Sequence, residues 1–92
     1  MSRAQRRVTV GSRVGLHARP ASLFVQAVNA TGHSVLISKA SGDEADGASI
    51  LSVLALGVGH GEEIVLTVEG SNADAVAEEL TTLLASDLDE NS

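Results

Sequence analysis

The stretch GLHARPASLFVQAVNATG, residues 15–32, decides the reading of this chain. Its second half predicts a helix from about Arg19 to Thr31. Ala21, Phe24, Val25 and Val28 recur at the spacing that places them on one apolar face. Pro20 suits the first turn, where its missing N–H breaks no intrahelical bond, and Gly32 suits a left-handed stop. His17, just ahead of this helix, is an unusual opener. Preferred caps are Ser, Thr, Asp and Asn, whose oxygens accept from the free first-turn amides.

Working outward, GSRVG (11–15) reads as loop and RRVTV (6–10) as a first strand. After the helix, SVLISK (34–39) alternates as a strand with Val35 and Ile37 on one face. SGDEADG (41–47) is turn-rich with room for a short edge strand. SILSVLAL (49–56) predicts a short helix capped by Ser49, and GVGHG (57–61) a glycine-rich turn. EEIVLTV (62–68) is a strand with Ile64, Leu66 and Val68 inward. Residues 72–86 form a helix whose face is Val76, Leu80, Leu83 and Leu84. The order βαββαβα, with one-sided helices, implies an α+β open-faced sandwich. Its four-stranded antiparallel sheet is covered on one face by three helices. Residues 1–92 are read as one domain, with 1–4 and 87–92 expected to fray.

Composition narrows the function. The chain has no cysteine, tryptophan or tyrosine, and Phe24 is its lone aromatic residue. Disulfides and thiol chemistry are therefore excluded, and the core must be aliphatic. The net charge is −6, with all six basic residues before position 40 and all twelve acids after it. This argues against nucleic acid as a partner, as does the lack of stacking aromatics. It leaves a local positive field at residues 13–19 for an anionic group. The longest apolar run, ILSVLALGV, is too short to span a bilayer. No secretory signal is readable in the first residues. The expectation is a cytoplasmic protein that does not insert into membranes.

The chemistry centres on His17. A helix N-terminus leaves its first N–H groups unpartnered, and with the helix dipole they suit phosphate. Neutral imidazole is a nucleophile. A phosphoryl group on His17 would sit among the amides of Ala18 and Arg19. The Arg19 guanidinium offers a planar fork of donors that matches phosphate oxygens. Gly15 permits the turn before the histidine, and Pro20 stiffens the turn after it.

GLHARPA resembles the active-site signature of HPr, the histidine-containing phosphocarrier family of the bacterial sugar phosphotransferase system. SILSVLALG (49–57) resembles that family's segment around its regulatory serine. The length and element order fit as well. The resemblance implies that His17 accepts a phosphoryl group on Nδ1 from phosphorylated enzyme I and passes it to a IIA domain of a sugar permease. Arg19 would steady the group during transfer. It implies a carrier rather than a turnover enzyme, needing no cofactor or metal of its own, and a monomer is the default. The alternatives are an HPr-like regulatory protein, serving a nitrogen-related relay or binding transcriptional regulators, and an α+β domain that captures an anion noncovalently.

A second site follows from the same resemblance. Ser49 would be the target of a dedicated kinase in regulated members, although a serine at a helix start is first of all a cap. Ala48 stands where regulated members often carry lysine, and Asp43, Glu44 and Asp46 lie close in sequence. The helix behind it has hardly a polar face, so part of it should be exposed, which marks a partner surface. Leu51 and Leu54 match the family's docking positions. His33 and His60 read as surface turn residues, because their spacing matches no metal motif. GVGHG lacks the Lys and Ser/Thr of a phosphate loop. Glu62 and Glu63 alternate faces and do not form an acid/base pair.

Overall fold

The computed structural model describes residues 2–11, 13 and 15–86. The elements are β1 (Ser2–Thr9), α1 (Ala18–Thr31), β2 (Ser34–Lys39), β3 (Glu44–Asp46), α2 (Ile50–Leu56), β4 (Glu63–Gly70) and α3 (Ala73–Ala85). All strand pairings are antiparallel, in the order β1-β4-β2-β3. The two central strands are thus the ones with the clearest inward alternation. In β4, Ile64, Leu66 and Val68 are buried. In β2, Val35 and Ile37 are buried.

Three helices cover one face. α3 lies over β1 and β4, α2 over β3, and α1 packs against both helices. The side chains that meet there include Phe24, Val28, Val53, Leu80 and Leu84, all essentially inaccessible to solvent. Each large aliphatic or aromatic side chain buried in this way contributes about 1.5–3 kcal/mol relative to exposure. The other face stays open. β1 turns Arg3, Gln5, Arg7 and Thr9 to it, opposite Glu69, Thr67, Val65 and Glu63 of β4.

β1 begins at Ser2 rather than at Arg6, so residues 2–4 do not stand apart from the sheet. Ser2, Arg3 and Ala4 pair with Gly70, Glu69 and Val68. The Ser2 hydroxyl donates to the Gly70 carbonyl (2.8 Å) and accepts from the Ala73 N–H (3.1 Å). β4 likewise runs on to Gly70, two residues past the expected end. Residues 87–92 lie outside the described residues.

The fold also undoes much of the charge segregation along the chain. Arg6 of β1 reaches Asp74 (3.2 Å) and Glu78 (3.5 Å) on α3. Lys39 of β2 meets Glu62 at 3.2 Å. The Arg6 pairs form because α3 lies over β1, and the Lys39 pair because β2 runs beside β4.

Candidate functional site

His17 is the N-cap of α1. Its backbone is extended (φ −86°, ψ −170°), and among the described residues no side-chain oxygen accepts from the first-turn amides. The His17 carbonyl already accepts from the Ala21 N–H at 2.9 Å, so the helix is under way. Pro20 is buried and has no N–H to offer. The open donors of this turn are therefore the backbone amides of Ala18 and Arg19. His17, Ala18 and Arg19 are all exposed. The nucleophilic ring, two free amides and a guanidinium are thus brought to one exposed helix start, where the dipole favours negative charge.

The approach to His17 is fixed from beneath. Leu16 is buried and donates its N–H to the Val58 carbonyl at 2.9 Å. Gly15 has φ +70°, and a Cβ there would stand 2.4 Å from the Val58 carbonyl oxygen and 2.7 Å from Gly59 Cα. Alanine would be strained by its dihedral and blocked by backbone, so glycine is required on both counts. Gly11 plays a related part at the other end of the loop. Its N–H donates to the Leu84 carbonyl at 3.0 Å, and a Cβ there would fall 2.0 Å from the Ala85 carbonyl oxygen.

The supporting loop, residues 57–61, has its own restraint, which the sequence reading missed. Glu62 Oε1 accepts from the Gly59 N–H at 3.1 Å, and Glu62 Oε2 faces the Lys39 ammonium at 3.2 Å. The Gly59 bond holds the Glu62 carboxyl below its ordinary pKa. Lys39 acts in the same direction, and burial opposes both. The signal in the sequence was Lys39 itself. It shares the inward parity of Val35 and Ile37, and an inward lysine needs an acidic partner.

At the second helix start the arrangement is the opposite. The Ser49 Oγ accepts from the Ser52 N–H at 3.3 Å, as a cap should. Asp46 Oδ1 accepts from the Ala48 N–H at 2.9 Å, so an acidic side chain occupies the adjoining turn. Behind the cap, Val53 is buried while Leu51 is 76 % and Leu54 37 % exposed. Leu23 on α1, which the sequence reading did not single out, is also 37 % exposed. It lies beside buried Phe24 on α1, where the apolar stripe is wider than the core it meets.

His33 is more than a turn residue. Its ring bridges two carbonyls, with Nδ1 2.8 Å from the Thr31 oxygen and Nε2 in short contact with the Ser71 oxygen. Two acceptors call for two N–H donors, which only the imidazolium has, and both bonds raise the His33 pKa. His60 is exposed in the turn before β4. Among the described residues, no group of three or more His, Asp or Glu is placed to hold a metal ion. No helix of the described residues is long and apolar enough to cross a membrane.

Comparison with known proteins defines the class to which this fold and helix start belong. The family model described as "PTS HPr component phosphorylation site" matches residues 4–86. The phosphocarrier protein HPr of Streptomyces coelicolor is 53 % identical over 87 residues, covering 95 % of this chain and 94 % of that one. The phosphocarrier protein NPr of Shewanella violacea is 34 % identical, covering 100 % of both chains. The crystal structure of HPr from Bacillus anthracis superposes with a TM-score of 0.84 at 37 % identity, covering 91 % of this chain and 99 % of that one. The chain belongs to the HPr phosphocarrier family.

The same comparisons bear on assembly. Crh of Bacillus subtilis is described as a dimer with a swapped domain. It shares the fold with a TM-score of 0.72 at 32 % identity, covering 92 % of this chain and 97 % of that one. The fold therefore does not dictate the monomer expected from the sequence.

Proposed function

We propose that this protein is a phosphoryl shuttle of the sugar phosphotransferase system, with His17 as the acceptor. The observation that carries this reading is the helix start itself. α1 leaves two amides open beside an exposed imidazole and an arginine, on a scaffold shared with phosphocarriers.

The transfer is the one the family resemblance implies, with this helix start as its seat. The Nδ1 lone pair of neutral His17 attacks the phosphorus carried by phosphorylated enzyme I. The N–P bond forms as the bond from phosphorus to the donor breaks, and the ring proton stays on Nε2. The Ala18 and Arg19 amides and the Arg19 guanidinium receive the phosphoryl oxygens, and the helix dipole favours their charge. The same steps in reverse, with a IIA domain as acceptor, discharge the carrier. No resident metal or cofactor is needed for this exchange. Leu51, Leu54 and Leu23, the large apolar side chains left exposed among the described residues, are the contacts proposed for enzyme I and the IIA domain.

Ser49 serves α2 as its cap. A kinase acting on it would have to break the Ser52 bond and leave a phosphate beside Asp46. A second reading, a nitrogen-related relay, draws on the similarity to NPr over the whole chain. It uses the same acceptor and differs in the donor.

The test is direct. The protein is incubated with phosphoenolpyruvate and either a sugar-type or a nitrogen-type enzyme I, and ³¹P NMR follows the product. An acid-labile phosphohistidine from the sugar-type donor, absent in His17→Ala, is expected. Labelling that persists in His17→Ala removes His17 as the acceptor. Labelling by the nitrogen-type donor alone replaces the sugar reading with the second.

A further inference from the structure

The loop that carries His17 takes its position from another loop. Gly15 lies against the backbone of Val58 and Gly59, and the Leu16 N–H is bonded to the Val58 carbonyl at 2.9 Å. That backbone belongs to GVGHG, in which three of five residues are glycine. Glycine has the most conformational freedom to lose, so an accurate seat built on this loop needs an outside restraint.

Backbone bonds hold the ends, with the Gly61 N–H donating to the Val10 carbonyl at 3.0 Å and the Gly57 N–H to the Leu54 carbonyl at 3.2 Å, and two side chains add a restraint that reaches the middle. Lys39 Nζ donates to the carbonyl of Leu56, the last residue of α2, at 3.2 Å. The same ammonium faces Glu62 Oε2 at 3.2 Å, and Glu62 Oε1 accepts from the Gly59 N–H at 3.1 Å. One cation at the end of β2 thereby ties together both ends of the glycine loop, and the carboxylate pins its middle. We propose that Lys39 and Glu62 are positioning residues for phosphoryl transfer, acting through Gly59 and Val58 on Gly15, Leu16 and the seat of His17. Neither one acts on the phosphoryl group itself. The proposal rests on the reading of His17 as the acceptor.

An ordinary half-exposed ion pair contributes little to stability. The side chains of Lys39 and Glu62 are 19 % and 34 % exposed, so their effect on melting is expected to be small. Their effect on transfer should be larger, because an in-line displacement is sensitive to small shifts of the attacking atom.

The experiment uses Lys39→Met, Glu62→Ala, the double variant and Lys39→Arg as acceptors for phosphorylated enzyme I. In each single loss variant the maximal transfer rate falls on the order of tenfold, while the half-saturating concentration stays within about twofold. Lys39→Arg recovers most of the rate. The loss in the double variant is smaller than the product of the two single losses, because either change breaks the shared Lys39–Glu62 pair. In the unphosphorylated protein, the Gly59 and Leu16 amides exchange faster with solvent in the single loss variants. An unchanged maximal rate, a loss confined to half-saturation, or losses that multiply in the double variant overturns the proposal. So does unaltered exchange at Gly59 and Leu16. Failure of the wild-type protein to take a phosphoryl group on His17 counts instead against the reading of the site. The exchange measurement needs no transfer and still decides whether the pair holds the loop.

Discussion

The starts of α1 and α2 share a backbone conformation and differ in what closes them. Both cap residues are extended, His17 at φ −86°, ψ −170° and Ser49 at φ −112°, ψ 114°. Ser49 fills its helix end with its own hydroxyl, bonded to the Ser52 N–H. The third helix is closed from outside, where the Ala73 N–H donates to the Ser2 hydroxyl. α1 alone among the three has no side-chain oxygen on its first turn among the described residues. A helix end forgoes stabilisation when its cap is left open, and that missing stabilisation is available to whatever anion arrives. In the proposed function the closed end presents a docking helix and the open end performs the transfer.

The strongest way to break the contrast is to make the two ends alike. His17→Ser places a capping hydroxyl on a backbone already in the right conformation. It should abolish phosphoryl acceptance and raise stability by about 1 kcal/mol, read by ³¹P NMR and denaturant titration. Unchanged stability would mean that the first-turn amides are satisfied in some other way. Next comes the surface behind the second cap. Leu51 is 76 % exposed, so Leu51→Asp should weaken enzyme I binding about tenfold, as a docking contact near the centre of an interface would. Its melting temperature should hardly move; a large drop would mark Leu51 as part of the core. Ser49→Ala removes the cap that α1 lacks. It should cost about 1 kcal/mol in denaturant titration while transfer from enzyme I persists.

The smallest effect concerns His33. Its folded pKa lies above the ordinary value of 6.5 because the Ser71 and Thr31 carbonyls favour the protonated ring. The stabilisation is therefore fully present below the unfolded pKa and is lost as pH rises through the folded one. Melting temperatures taken across neutral pH should show this decline in the wild type, and His33→Ala should flatten it. An equal decline in both proteins would assign the pH dependence elsewhere.

Most of the fold was legible because local pattern and tertiary contact agree. Ala21, Phe24, Val25 and Val28 are all buried on the expected face of α1, and β2 spans the expected residues. The strand ends were not legible, for a physical reason. SRAQ carries a single apolar residue, and it is held in the sheet by partners more than sixty positions away. The candidate site divides in the same way. The places of His17 and Arg19 at the start of α1 and the capping role of Ser49 could be read from residues close in sequence. The contacts of Lys39 and Glu62, and those of His33 with Ser71, join segments that only the folded chain brings together. Glu62 read as one of two adjacent carboxylates facing opposite ways. Its reach back to Gly59 depends on how the glycine loop closes.

In the proposed transfer the open amides of α1 receive the phosphoryl group borne by His17. The direct measurement follows backbone amide resonances as the protein is phosphorylated by enzyme I and phosphoenolpyruvate. The Ala18 and Arg19 amide protons should move downfield as new hydrogen bonds form, with the Ser52 amide unmoved. Phosphorylation of His17 that leaves the Ala18 and Arg19 amides where they were would contradict it.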